Sequence, residues 1–435
     1  MRYRSSVLWT LSGKISFLGS QFLLIMFLSK FSSMAVLGSY SLGLAISAPI
    51  FLFCNLQLRV MLATETNVIE KFYTYFSLRL LLALLAFPIV LLTALGMQLN
   101  DEILAIVVLC ALNKFFDSIS DIYYGVMQGS NRMDLIAKSQ ILRGITSVIA
   151  FCITYTLTEN VYLALLTIAI MWLLVLIFFD YRNVLLLGIT VSNNRLAISK
   201  LTQIFGKKKT SDESTHNSLL TLLIKGMPLG IVVMIGSLVA NSPSYVIESK
   251  ISIEAVGIFA SLIYLMQSTS TFMSALWEPA IPKLANFRDS NNYKAFTNLI
   301  LKLSGIGFLI GIMGTFIIYW KGELILTLLF NEQFAENVDV LLILSLVLVV
   351  RYFGGVWSVG ATVLRYYWVQ VPLNVVNLFL VLSSAIYLVD KYGMIGASYA
   401  LLFSTVITRV VFLGIIFHGI KNLKSNFNSS KEVNF

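Results

Sequence analysis

Charge is scarce in this chain. Of its 435 residues, 12% are Asp, Glu, Lys or Arg, while 58% are hydrophobic. A soluble domain carries about 25% charged residues. A chain with half that share cannot cover a water-facing surface, so lipid must cover it. Histidine is nearly absent: only His216 and His418 occur, which argues against a histidine metal site. The three cysteines, Cys54, Cys110 and Cys152, all lie in apolar segments, with no CxxC spacing. That argues against a disulfide framework and against a Cys-based metal site. No glycine-rich phosphate loop with its Lys-Ser/Thr is present, so ATP is not hydrolysed on this chain. No cofactor is implied.

What is present is a series of apolar blocks. Each is near the roughly 20 residues that a helix needs to cross a bilayer. They fall near 7–28, 37–60, 77–97, 103–126, 140–158, 161–179, 219–240, 255–277, 298–320, 338–362, 371–389 and 394–417. The expectation is an all-α polytopic membrane protein of about twelve transmembrane helices. The first block follows Arg2 and Arg4 and is longer than a signal-peptide core. It is read as the first span, uncleaved. Glu159-Asn160 forms the tight turn between the fifth and sixth spans. Pro49, Pro88, Pro228 and Pro372 fall in or at the ends of spans, where membrane helices tolerate kinks.

The net charge of +10 raises the question of nucleic acid. The distribution answers it, because the basic residues sit in short loops between apolar blocks, as topology signals do. With the N-terminus inside, 23 of 31 Lys and Arg lie on the cytoplasmic side. The outside loops hold Lys30, Lys250, Lys321 and Lys391, and four more cations lie within spans. Both termini are therefore expected in the cytoplasm, with no nucleic-acid partner.

The longest loop, about 180–218, carries Lys207-Lys208-Lys209 and then Ser211-Asp212-Glu213-Ser214. Its polarity suggests a flexible cytoplasmic linker. The basic triplet reads as a positive-inside anchor, with contact to anionic lipid headgroups as the alternative. The loop divides the spans six and six. The expected organisation is a lobe over 1–180, a linker over 181–218, a second lobe over 219–420 and a cytoplasmic tail over 421–435. A faint internal repeat agrees with it. Lys30, Ser32, Ala35 and Val36 recur, at an offset of 220, as Lys250, Ser252, Ala255 and Val256. Six helices per lobe would make the lobes parallel, as in transporters whose substrate site lies between such halves.

Charges inside spans are expensive, about 2.5–3.5 kcal/mol at a helix centre on insertion scales, and mark functional candidates. Lys14 lies in the first span, within strained reach of the headgroups, and an interior-facing role is favoured over snorkelling. Arg351 sits near the middle of the tenth span, too deep to snorkel; an internal ion pair is the bland alternative. Arg409, in the last span, reads equally as an anchor beside Lys421 and Lys424. In the fourth span, Asp117, Asp121, Tyr124 and Gln128 recur at steps of four, three and four, on one helix face. That stripe suggests the wall of an aqueous cavity. Lys114 can pair with Asp117, but one pair would leave Asp121 unexplained. Cations facing a cavity suit an anionic group such as a phosphate ester, and buried carboxylates can carry protons.

These residues resemble a family. The opening stretch from Val7 to Arg59, with Leu37-Gly38-Ser39-Tyr40-Ser41-Leu42, Ala48-Pro49-Ile50-Phe51 and Asn55-Leu56-Gln57-Leu58-Arg59, is similar to the Wzx-type bacterial polysaccharide flippases. So is the run Asp117, Asp121, Tyr124-Gly125, Gln128, Arg132-Met133, Ser139-Gln140, Arg143-Gly144. The six-plus-six layout matches over essentially the whole chain, and the N-terminal third carries the resemblance most clearly. The resemblance implies a MATE-like fold of two six-helix lobes and residence in the bacterial inner membrane. It implies a non-enzymatic transporter, driven by a cation gradient, that alternates access. Its cargo would be undecaprenyl-diphosphate-linked oligosaccharide, an O-antigen (lipopolysaccharide) or capsule unit, moved to the periplasmic leaflet. Polysaccharide polymerase and chain-length machinery are candidate partners, alongside membrane lipids. Under this resemblance Lys14, Arg59, Arg143 and Arg351 are candidates for holding the diphosphate or acidic sugars. Asp117 and Asp121, with Lys114, Tyr124 and Gln128, are candidates for coupling or gating. Arg59 and Arg143 read equally as positive-inside residues at helix ends. Multidrug antiporters of the same fold usually handle cations, which the cationic spans fit less well. Lipid II flippases commonly have two more helices. A membrane-embedded polymerase would be expected to show a large outer loop, and a scaffold would not need mid-membrane charge.

Overall fold

A computed structural model describes residues 3–65, 67–188, 213–277 and 280–432. Among these, every regular element is helical. In chain order they are α1 (Tyr3–Phe31), α2 (Met34–Asn55), α3 (Leu58–Ala63), α4 (Val68–Gly96), α5 (Asp101–Gly129) and α6 (Met133–Thr158). Then come α7 (Val161–Val175), a π-helical turn (Leu176–Tyr181) and α8 (Arg182–Leu186). After them follow α9 (Glu213–Lys250), α10 (Ile253–Trp277), α11 (Ala280–Asp289), α12 (Tyr293–Leu329), α13 (Glu332–Ala335), α14 (Val338–Val363) and α15 (Tyr367–Glu432). The Lys207-Lys208-Lys209 triplet and most of the expected linker lie outside the described residues.

Among the described residues, eleven helices are long and apolar enough to cross a membrane. The last of them covers Val369–Lys421, 53 residues. One crossing takes about 20 residues, so this segment supplies two, joined at Gly393. There φ is 58°, a left-handed conformation that glycine adopts at no steric cost. The expected twelve crossings and the all-helical membrane class are thus present. Large apolar side chains stand outward, including Leu92 at 68% and Leu157 at 79% exposure. In water such a surface would aggregate; in a bilayer it is solvated.

Local chemistry sets the turns. Asn100 caps α5 by accepting from the Ile103 amide at 3.0 Å, and Asp101 and Glu102 follow at the positive end of the helix dipole. Glu159, at φ 51°, ends α6, and the Asn160 side chain accepts from the amides of Tyr162 and Leu163 to start α7. That is the tight turn expected at Glu159-Asn160. The expected third span begins later than the helix does. Glu70 and Lys71 read as loop, yet they occupy the solvated first turns of α4, and Phe72, Tyr73 and Tyr75 behind them are buried.

The chain forms two compact units. One is Met1–Leu28 with Ala35–Leu238; the other is Ser29–Met34 with Val239–Phe435. In the first unit α5 is central, packing against α3, α4, α6 and α7. In the second α14 holds that place, against α10, α11, α12 and α15. Counting crossings from α1 and from α9, each central helix is the fourth. The repeat is visible at the helix ends as well. Lys30 lies in the last turn of α1, four residues before α2 starts, and Lys250 ends α9, three residues before α10 starts. Lys30 donates to the Leu328 carbonyl at 2.7 Å; Lys250 donates to the Ile386 carbonyl at 3.0 Å and pairs with Asp390. The second unit's core includes Phe296, Ile300, Val356, Trp357, Phe412 and Ile416, with the Trp357 indole donating to Ser304 Oγ at 3.0 Å.

Candidate functional site

The apolar faces of α5 can meet lipid or neighbours, but its polar stripe must find partners within the protein. It does so in the first unit. Asp121 Oδ1 lies 3.3 Å from Arg59 Nη1, and Asp121 Oδ2 lies 3.1 Å from Arg79 Nη2. Arg59 Nε donates to Gln128 Oε1 at 3.1 Å, and its guanidinium lies 5.5 Å from the centre of the Tyr124 ring. Asp117 Oδ1 lies 3.2 Å from Arg143 Nη1, with Lys114 at 4.0 Å from the other oxygen. Arg143 also donates to the Phe116 carbonyl at 3.0 Å and stacks over Trp172 at 4.9 Å. The Tyr124 hydroxyl and Ser139 Oγ share a hydrogen bond of 2.8 Å. Lys114, Asp117, Asp121, Tyr124 and Gln128 are therefore drawn into one network, together with Arg59 and Arg143.

Several residues stand elsewhere than the sequence pattern put them. Arg143 is not at a helix end: α6 starts at Met133, so Arg143 lies ten residues inside and is 1% exposed. Arg79 is one of the 23 cations that the charge count puts on the cytoplasmic side. It sits well within α4, is 0% exposed and is held by Asp121. The buried aromatic run Phe72–Tyr75 before it was the available signal that the helix begins earlier. Asp180 read as the start of the linker. It lies in the π-helical turn and is 0% exposed. Lys14 stands exposed on α1, apart from the network.

The second unit is different. Arg351, on the central helix α14, lines a cavity of about 40 Å³ with Met266, Gln267, Leu348 and Leu401. That is room for about three waters, taking roughly 10–15 Å³ for each. Arg351 makes no hydrogen bond or ion pair with a described residue. Arg409, on α15, lies close enough to Arg351 to feel its charge. Its Nη1 reaches Gly354 O at 3.4 Å and Ser358 Oγ at 3.5 Å, both long, and its Nε has no acceptor. Gly354 makes room for it, since a Cβ there would stand 2.7 Å from Arg409 Cδ. Among the described residues no carboxylate lies within ion-pair distance of either arginine. Arg409 had read equally as an anchor; its long contacts are to the central helix of its own unit. Among the described residues no group of three or more His, Cys, Asp or Glu side chains could hold a metal.

Outside the spans, the Glu65 carboxyl accepts from Lys71 Nζ at 2.5 Å and from the Tyr75 hydroxyl at 2.8 Å. The Lys71 bond chiefly, then that from Tyr75, holds it below the usual carboxylate range. Arg132 is bidentate to Asp134 at 2.9 and 3.0 Å, which keeps the guanidinium more firmly protonated.

No family model matches the chain. Its sequence is 27% identical over 398 residues to the capsular polysaccharide biosynthesis protein CapF of Staphylococcus aureus, covering 90% of this chain and 93% of that one. Its fold is that of MATE transporters of the MOP superfamily. An inward-facing multidrug resistance MATE transporter superposes with a TM-score of 0.64 at 15% identity, over 97% of this chain and 96% of that one. A MOP superfamily transporter from Pyrococcus furiosus, described as having a binding pocket of reverse polarity, superposes with a TM-score of 0.62 at 13% identity, over 96% of each chain.

Proposed function

We propose that this protein is a flippase for an undecaprenyl-diphosphate-linked oligosaccharide, a capsule or O-antigen repeat unit. It works in the cytoplasmic membrane with both termini inside, carries its cargo to the outer leaflet by alternating access, and is coupled to a cation gradient. The observation that carries this reading is the pair Arg351 and Arg409. Two guanidiniums on membrane-crossing helices have no carboxylate within ion-pair distance among the described residues. An unanswered cation is costly in a membrane interior, and it persists most simply where a ligand supplies the missing anion. A diphosphate does so, because guanidinium donors match phosphate oxygens two at a time. A cationic drug would add repulsion at the same place. The capsular polysaccharide biosynthesis relative supports the cargo class, and favours a capsule unit over an O-antigen unit.

In this reading Arg351 and Arg409 hold the diphosphate. Arg59, which is partly exposed, meets the cargo as it enters, with Lys14 available nearer the surface. The Asp117–Arg143 and Asp121–Arg59–Arg79 groups, with Lys114, Tyr124 and Gln128, gate the passage. The test is complementation in the native host lacking this gene, scoring surface polysaccharide and lipid-linked units trapped on the cytoplasmic side. Wild type restores the surface polymer; Arg351→Ala, present at normal level in the membrane, leaves units trapped. Normal surface polymer and no trapped units in the deletion strain would overturn the reading, and drug efflux would then be assayed.

A further inference from the structure

Asp180 is a buried carboxylate of the first unit that the gating network does not use. It is 0% exposed, and neither of its oxygens makes a hydrogen bond. It sits on the π-helical turn Leu176–Tyr181, a distortion that recurs at functional positions because it re-aims one side chain. The charged and titratable groups facing it are Arg143 from α6 and Tyr123 and Tyr124 from α5. The hydroxyls of Ser120 and Ser139 also face it, without completing a hydrogen bond. Around it lie further orphaned groups: Ser120 Oγ, Arg143 Nε and Trp172 Nε1 have no partner.

An ionised carboxylate in such a place needs several completed hydrogen bonds, and the two serine hydroxyls facing it complete none. The neutral acid asks for less. Its O–H can donate to one serine, and its carbonyl can accept from the other. Arg143 meanwhile spends its two Nη groups on Asp117 and the Phe116 carbonyl, and keeps Nε unused. One guanidinium thus stands between two carboxylates, Asp117 at 34% side-chain exposure and Asp180 at none, and is bonded only to the first.

We propose that Asp180 is a protonation site and that its proton decides which carboxylate Arg143 holds. With Asp180 neutral, Arg143 pairs with Asp117, as observed. When Asp180 loses its proton, the bare carboxylate draws Arg143 inward through Nε, and Asp117 is released from its strongest partner. The Tyr124 hydroxyl is bonded to Ser139 at 2.8 Å, and Ser139 faces Asp180. A proton handed along these hydroxyls leaves each one neutral and ends on an Asp180 oxygen; release runs the chain backward. The use of this exchange in transport rests on the flippase reading, whereas the protonation itself does not.

The experiment is infrared difference spectroscopy on the purified full-length protein, titrated with pH without substrate. The expected result is a protonated-carboxyl C=O band at neutral pH that disappears on alkalinisation. It is missing in Asp180→Asn and kept in Asp117→Asn. As it disappears, the carboxylate band of Asp117 shifts, and in Asp180→Asn that shift is lost. Should Asp180→Asn fail to accumulate, Asp180→Glu decides, by moving the C=O band rather than removing it. No protonated-carboxyl band at any pH, or a band lost with Asp117→Asn instead, overturns the proposal. Because no cargo is present, the outcome is independent of complementation.

Discussion

In the first unit Asp121 stands between two guanidiniums; in the second, Arg351 and Arg409 face each other's charge with no carboxylate in reach among the described residues. Both sets occupy the central fourth crossing of their unit or the helices against it. The repeat has kept the packing and changed the electrostatics. The first unit answers its cations internally: Asp121 serves Arg59 and Arg79, and Asp117 serves Arg143 and Lys114. A network of that kind holds a conformation. The second unit leaves Arg351 and Arg409 without a carboxylate among the described residues. One architecture thus carries a mutually paired charge cluster in one half and two arginines without such a partner among the described residues in the other.

That contrast can be broken most forcefully at Asp121. Replacing it with Ala strips the fully buried Arg79 of its carboxylate, and removing one partner of a buried pair costs about 3–5 kcal/mol. The expected outcome is a large drop in thermal stability and membrane level. Little change would mean that Arg79 finds another partner. Arg351→Met should behave oppositely. It removes a charge that no described carboxylate of the second unit pairs with, so stability is unchanged or raised, by up to about 3 kcal/mol on the scale of mid-membrane charge costs. Transport of lipid-linked units is lost all the same. A strong destabilisation by Arg351→Met would show that this arginine is structural.

A gentler change sharpens the same point. Gly354→Ala puts a methyl group against the stem of Arg409, which must swing aside, at a cost of about 1–2 kcal/mol. The protein should fold and reach the membrane, with complementation reduced. The smallest expected effect lies outside the spans. Glu65 is held below an ordinary glutamate near 4.5 chiefly by Lys71. A depressed folded value means that its contribution is full above the unfolded value and is lost as pH falls through the folded one. Glu65→Gln should cost under about 1 kcal/mol near neutral pH, since the pair is partly exposed. It should flatten the loss of stability on acidification below about pH 4.5.

Much of this was legible in the residues themselves. Apolar length fixed the number of crossings, and the Asn and Glu residues at 100 and 159–160 fixed turns. The four-three-four spacing of Asp117, Asp121, Tyr124 and Gln128 put them on one face, because a helix repeats every 3.6 residues. These are local properties, and local geometry is carried by adjacent residues. Partnership is another matter. Arg79 and Arg143 resemble topology signals until α4 and α6 are seen to start earlier, which buries both. Asp180 resembles the first residue of a loop until a π-helical turn carries it inward. Arg351 is visibly charged in an apolar run, but whether a carboxylate meets it depends on the helices that pack against α14. The sequence alone determined that this chain lives in a bilayer as about twelve helices and where its expensive charges lie. Only the tertiary structure decided which of those charges are answered, because an ion pair is made at 3–4 Å between segments that share no sequence neighbourhood.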